Sequence, residues 1–398
     1  MTDPLGQSQV IPYLMELSKS GFEIHILSAE KPDRFNVRKN KIEDILKTAN
    51  ISWYPIFYTK KPPVISTLLD ISKLKKKAKS LQKLHNFDIV HCRSYVASFV
   101  GIYMQKHYGT KYIFDMRGFY ADERVDGNVW RLSNPVFRLV YNYFKHKEKE
   151  FLSNADYVVS LTAAAEKIIR QNKNFEKIPV KIIPCCADLE HFNYENIDIS
   201  LQNKFKSELN IKENDFVIGY LGSVGTWYML DEMLYFFKIL KTKIQNAKFL
   251  FITKENHEEI IENAKKHGIA ENSLILKAAD REDVPTMISL MNYSIFFIMP
   301  VFSKKASSPT KFAELLGMGI PVIANAGVGD MDYYFSEYKC GIMLNDFSEN
   351  EILNAVEKIQ YDNFEKKNLR KISENNFSTK IGVERYYDIY KEMNCTLS

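Results

Sequence analysis

The sequence predicts an α/β protein made of two doubly wound units. Three observations carry this reading. Short apolar runs alternate with helical patterns along nearly the whole chain. The runs are apolar almost continuously, as suits parallel strands covered on both faces. The same beat then restarts past the middle, and 398 residues leave each half enough chain for its own core.

The first expected strands are FEIHILSA (22–29), FDIVHCRS (87–94), KYIFDMRG (111–118), DYVVSLTA (156–163) and VKIIPCCA (180–187). Helical patterns precede or separate them at 9–19, 96–106 and 136–152. After NYENIDISLQNKFKSELNIKEND come FVIGYLGS (216–223), AKFLFITK (247–254), SLILKAA (273–279), YSIFFIMP (293–300) and PVIANAG (321–327). The expected division is 1–195 and 196–375. The last part, 376–398, carries FSTKIGVERYYDIYKEM, an amphipathic helix with Val383, Tyr386, Tyr387 and Tyr390 on one side, expected to pack back toward the first domain. Folds of this class bind ligands outside the C-terminal ends of their strands. Two such units facing each other would share a cleft there, so the chemistry is sought in loops that follow strands.

Composition is ordinary for a globular protein, with 45% hydrophobic and 26% charged residues. The opening MTDPLGQSQV has neither the basic nor the apolar region of a signal peptide. No apolar run approaches spanning length. Both points lead to a cytoplasmic expectation. The cysteines at 92, 185, 186, 340 and 395 form no metal-ligand spacing, and Cys185–Cys186 reads as two small residues beside a strand end. Residues 1–195 hold 30 Lys+Arg and 21 Asp+Glu, a net +9, and 196–398 hold 24 and 28, a net −4. The excess concentrates in KLKKKAKSLQKLH (73–85). A basic helix of this kind suits the surface of an anionic membrane, or it is a solvated face. No recognised motif accompanies the charge, so nucleic acid is not an expected partner.

Two loops carry candidate chemistry. In GSVGTWY (222–228) a strand gives way to a helix through glycines that let backbone approach an anion. Gly222, Ser223, Gly225 and Thr226 are candidate donor-site residues, with Trp227 as a stacking platform or a core ring. In SSPTKFAELLGMGIPVIA (307–324), Pro309 and the hydroxyls of Ser308 and Thr310 favour a helix start. Lys311 could reach a phosphate as a point charge, and Glu314, one turn on, could accept from a ribose diol. A plain surface pair is the alternative. Asp330 and Asp332 mimic a metal-binding DxD, but Asp330 reads as a helix cap, so no metal is expected.

Taken with DPLGQSQVIPYL (3–14), HCRSY (91–95), FDMRGFYADERVDG (114–127), ADYVVSLT (155–162) and IPCCADLEHF (183–192), these two segments resemble glycosyltransferase family 4, which has the GT-B fold. The resemblance spans almost the whole chain. It implies transfer of a sugar from a nucleotide diphosphate donor to an acceptor hydroxyl, with retention and without a bound metal. The nucleotide-sugar is then a co-substrate, and the acceptor a saccharide or lipid-linked saccharide of cell-surface polysaccharide synthesis at the inner membrane face. Glu314 matches the second glutamate of the family's E-x7-E signature. The first falls at Ala306, and the family's phosphate-binding arginine and lysine fall near Ser223 and Tyr228. Lys311 is the expected replacement, followed by Lys254 and Arg281. Lys311 and Arg117 are the expected catalytic-region cations. Gly6, Gln7, Ser8, Arg93, Asp122 and Glu123 are the acceptor-side candidates, and His91 is either such a residue or a satisfied core histidine.

The losses leave two rivals open: a catalytically inactive nucleotide-sugar-binding protein, and a sugar-nucleotide epimerase of the same fold. The resemblance also implies a strand before DPLGQSQ, which here begins at residue 3. The expectation is a gap in the first sheet or a loop 3–8 hanging free, and a natural protein longer by roughly 15 residues.

Overall fold

The structure is a computed structural model that describes residues 1–62 and 65–394. Its strands are β1 (His25–Glu30), β2 (Ser52–Phe57), β3 (Ile89–Arg93), β4 (Lys111–Asp115), β5 (Tyr157–Ser160) and β6 (Val180–Ile182). They continue with β7 (Phe216–Leu221), β8 (Ala247–Ile252), β9 (Leu274–Lys277), β10 (Tyr293–Phe296), β11 (Val322–Asn325) and β12 (Gly341–Leu344). Every strand pairing is parallel. The chain forms two compact units, Met1–Cys186 with Thr379–Ser398, and Ala187–Ser378.

The second unit has a six-stranded sheet in the order β9-β8-β7-β10-β11-β12. This is the doubly wound order, with its topological switch between β7 and β10. Ligands bind such sheets at that point, beyond the strand carboxyl ends. The sheet lies in a continuous core that includes Phe236, Phe237, Phe249, Phe251, Phe297 and Phe312.

The first unit carries β3-β4-β5-β6 as one sheet and β1-β2 as another. β1 and β3 share no backbone ladder among the described residues, so the expected gap in the sheet is observed. Side chains bridge it. Leu27 of β1, Ile56 of β2 and Val90 of β3 pack on one cluster with Leu74, Ala78, Val100 and Met104. Residues 3–8 do not hang free. Pro4–Gln9 is a short helix, and Gly6 is buried so close to Met1 that a Cβ there would lie 2.7 Å from Met1 Cα. The amino group of Met1 and the Thr2 hydroxyl both bond the buried Glu30 carboxylate.

Two strands escaped the sequence reading, and both are edges. β2 holds Pro55, which cannot donate to a central ladder, and β12 is the four-residue GIML. The C-terminal pattern is two helices, Lys366–Phe377 and Thr379–Asn394. The second belongs to the first unit, where Tyr386 meets Tyr13 edge-on and Tyr386, Ile389 and Tyr390 join the core around Ile113 and Val159.

The units divide at Ala187, before the expected 195/196, for a local reason. The amide of Ala187 donates to the Phe377 carbonyl at 2.8 Å, and Leu189 and Phe192 enter the second core. Arg370 then fastens this segment. Its guanidinium donates to the carbonyls of Leu189 (2.9 Å), Phe192 (3.0 Å) and Gly317 (3.0 Å). Arg370→Ala should strip three carbonyls of their donor and destabilise the second unit by about 2 kcal/mol or more. Denaturant unfolding of the full chain measures this, and a variant as stable as the parent would contradict it.

Candidate functional site

The loop after β7 begins at Gly222, whose φ of +110° favours glycine. It is stitched to the segment after β10. Met229 donates to the Phe297 carbonyl and Met299 to the Trp227 carbonyl, both at 3.0 Å. Asn325, on β11, holds that segment in turn: its side chain accepts from Ile298 N at 2.8 Å and donates to Ile298 O at 2.9 Å. The two loops therefore meet at the switch point as one fixed surface.

Lys311 reaches this surface from the first turn of the helix Thr310–Gly317. Its ammonium lies 3.8 Å from the ring centre of Tyr228 and 4.2 Å from that of Tyr220, and donates to the Tyr220 hydroxyl at 3.2 Å. A Cβ at Gly222 would sit 3.3 Å from Nζ, so the bare glycine leaves the amine its space. Tyr228 occupies a position where the family's cation is lost. It supplies the ring on which a cation from another helix rests, an attraction of roughly 0.5–2 kcal/mol. No carboxylate among the described residues lies within ion-pair distance of Nζ.

Burial holds the Lys311 ammonium down, to about 7, although Glu314 favours its charge. Burial likewise pushes the Glu314 carboxyl up, to about 7, against Arg281 and Lys311. The three candidates Lys311, Glu314 and Arg281 thus share one electrostatic environment. Arg281 also lies 4.0 Å from Asp188 and 5.8 Å from the Phe192 ring centre.

The sequence reading missed three contributors. In the sequence Tyr220 is only part of the strand 216–223, and Tyr228 only the position near which the family's lysine falls. Lys304, on the 3-10 turn Phe302–Ala306, is buried with Nζ 3.7 Å from the Trp227 ring centre. The signal was the lysine pair in FSKKA, directly before the quoted motif. Trp227 is therefore paired with a cation, and Ala306 is buried and carries no carboxylate.

Several expectations need correction. Ser308 and Thr310 are half-buried beside the helix start, but Pro309 holds the N-cap position and no side chain caps it. Ser223 bonds Glu255 at 2.7 Å, and Gly225 and Thr226 are exposed. Lys254 is exposed and paired with Asp280 at 2.7 Å, which occupies it elsewhere. Asp330 holds the N-cap position of the helix Met331–Glu337, as expected, without a side-chain cap bond, and Asp332 in its first turn accepts from Gly327 N at 2.9 Å.

In the first unit, Arg93 and Arg117 each lie 3.7 Å from the buried carboxylate of Asp115; burial would raise its pKa, but Arg117, His91 and Arg93 keep it charged and lower the pKa to about 2. Arg117, at φ +58°, also donates to Cys185 Sγ at 3.3 Å. His91 is the satisfied core histidine, 2.8 Å from the Tyr390 hydroxyl. These cations answer an internal acid. Asp122 is equally committed, to Tyr141 (2.9 Å) and Lys145 (2.8 Å), and Glu123 lies in the first turn of the helix Tyr120–Asp126. Gly6, Gln7 and Ser8 belong to the first helix, with Gln7 donating to Thr2 O and Ser8 to Pro4 O. Their amides form no open loop. The four described cysteines are not joined in disulfides, and Cys395 lies outside the described residues.

Comparisons with known proteins match both units. The profile for Glycosyl transferases group 1 matches residues 202–378, and that for Glycosyltransferase Family 4 matches 8–191. The capsular polysaccharide biosynthesis glycosyltransferase CapM of Staphylococcus aureus is 24% identical over 259 residues. That stretch is 64% of this chain and 66% of CapM, just under two thirds of its length. A glycosyltransferase from Rickettsia africae superposes with a TM-score of 0.67 at 17% identity, covering 96% of this chain and 93% of that one. HepE of Anabaena, solved with UDP and glucose, gives 0.66 at 14%, covering 96% and 95%. Fold and matches define the GT-B architecture, and both family models describe glycosyltransferases. The chain belongs to glycosyltransferase family 4.

The Lys311 amine attracts an anion only when protonated, and the free site loses that proton as pH rises through about 7. Affinity for pyrophosphate or a nucleoside diphosphate should therefore fall by up to about tenfold per unit above pH 7, with proton uptake on binding. Calorimetry in two buffers of different ionisation enthalpy reads the uptake. Equal heats in both, with a flat pH profile, would contradict the assignment.

Proposed function

We propose that this chain transfers a sugar from a nucleoside diphosphate donor to a saccharide or lipid-linked saccharide acceptor in cell-surface polysaccharide synthesis, with retention of configuration. The observation that carries the reading is Lys311, a buried amine without an ion-paired carboxylate at the switch point of the second sheet, with Glu314 one turn away. Lys311 holds the diphosphate and Glu314 the ribose. Lys304, beside Trp227, and Arg281 add positive charge around them.

In the reaction the bond from the anomeric carbon to the diphosphate oxygen breaks, and a bond to the acceptor oxygen forms on the same face. The acceptor proton passes to the departing diphosphate. Positive groups fixed in a site of low polarity stabilise the negative charge that grows there. No dedicated base and no metal is required. HepE was solved with UDP and glucose, which makes UDP-sugars the first donors to test.

Glu314→Ala should weaken binding of the accepted nucleotide by ~1–3 kcal/mol in calorimetry, and transfer by the parent should survive EDTA. Unchanged affinity in both Glu314→Ala and Lys311→Ala would reject the site. Binding without transfer or donor hydrolysis would favour the inactive nucleotide-sugar-binding protein.

A peripheral membrane contact through the helix Ile65–His85 belongs to the same reading. No helix among the described residues is long and apolar enough to cross a membrane. Lys75 lies over the Phe99 and Tyr103 rings and Lys77 over Tyr54, and Lys73 is exposed but 3.3 Å from Asp70, which leaves Lys76, Lys79 and Lys83 as exposed cations without these contacts. Replacing those three with glutamine should reduce binding to anionic liposomes, and added salt should do the same to the parent. Equal binding to neutral and anionic liposomes would leave this helix a solvated face.

A further inference from the structure

At the amino end of β1, in the first unit, three side chains converge without a role in the proposed sugar transfer. Glu23 precedes β1, His25 opens it, and His85 is the last residue of the helix Ile65–His85. One ligand atom from each lies within 4.8 Å of the other two. We propose that Glu23, His25 and His85 bind one divalent transition metal ion of the zinc class, fastening the end of that helix to β1.

The donor set and its surroundings support this. Two imidazoles and one carboxylate are a zinc-type set, leaving a fourth position for water. His25 Nε2 already lies 2.8 Å from the Glu23 carboxylate. His25 Nδ1 faces the Tyr54 hydroxyl at 3.4 Å, so the second nitrogen has its own polar neighbour, as in metal-ligating histidines. His85 Nε2 lies 3.2 Å from the same hydroxyl, and the two imidazole centres are 4.2 Å apart.

A tetrahedral ion with ~2.0–2.1 Å bonds needs ligand atoms about 3.3 Å from one another. The moves required fall on the two exposed side chains, since Glu23 is 80% exposed and His85 is on the surface, while the His25 ring is 7% exposed. The helix ends here, with Asn86 at φ +50° following it. Its last carbonyls give a negative pole that favours a cation. Lys77, 5.2 Å from the Tyr54 ring centre, opposes a cation by charge alone. With a single carboxylate present, hard ions such as Mg²⁺ and Ca²⁺ have little to hold them. An ion bound through imidazole nitrogen does not depend on that charge.

The test uses the full chain, stripped of metal by a chelator and desalted. Titration with ZnCl₂ should reveal one strong site in the parent. Glu23→Gln and His85→Ala change exposed side chains and should each weaken it by roughly tenfold or more, the scale of loss seen even for outer-shell partners. Zinc should raise the Tm of the parent and not that of either variant. Cobalt(II) should give visible bands in the parent that His85→Ala lacks. Unchanged zinc affinity in both variants, or no site in the parent stronger than in the Glu23→Gln/His85→Ala double variant, would overturn the proposal and leave the cluster as hydrogen-bonded rings and an acid.

Discussion

An amine kept out of water on two tyrosine rings governs the second unit. Lys311 can occupy that place because Gly222 offers no side chain, because Tyr228 is held near Ile298, and because Asn325 holds Ile298. The supports come from the loop after β7, the segment after β10 and the end of β11. The arrangement costs the protein a poorly solvated charge when the site is free. In the function proposed above, the anion of the donor offsets that cost.

The first unit shows the opposite use of cations. Arg93 and Arg117 end strands at positions where ligands often bind, yet both face Asp115, which is buried and needs them. Removing either would leave an acid poorly compensated in the core. The distinction between a cation that holds the fold and one that holds a ligand therefore rests on its partner, not on its place at a strand end.

That distinction explains what was legible in the sequence. The strand beat, the two glycine and lysine loops and Glu314 could be read because each has a local signature: apolar runs, a helix start, a spacing. The edges β2 and β12 could not, since a proline and a four-residue run hide them. Asp115 gave no signal of its own, so Arg117 looked available. Tyr220 and Tyr228 are eight positions apart in sequence, and only the turn at Gly222 lets both lie against one amine. The helix Pro4–Gln9 was hidden because its quoted segment reads as a loop by resemblance.

The separation of β1-β2 from β3-β4-β5-β6 bears on how the first unit holds its cooperativity. A ladder transmits order along the backbone, where neighbouring amides rise or fall in protection together. Between β1 and β3 that route is missing among the described residues, and the coupling passes through Leu27, Ile56 and Val90 on the helices that cover them. Side-chain packing couples less rigidly than paired backbone, so the strand pair and the strand quartet are distinct units of local opening. The helix Ile65–His85, with Leu74 and Ala78 in the same cluster, acts as the splint across that seam.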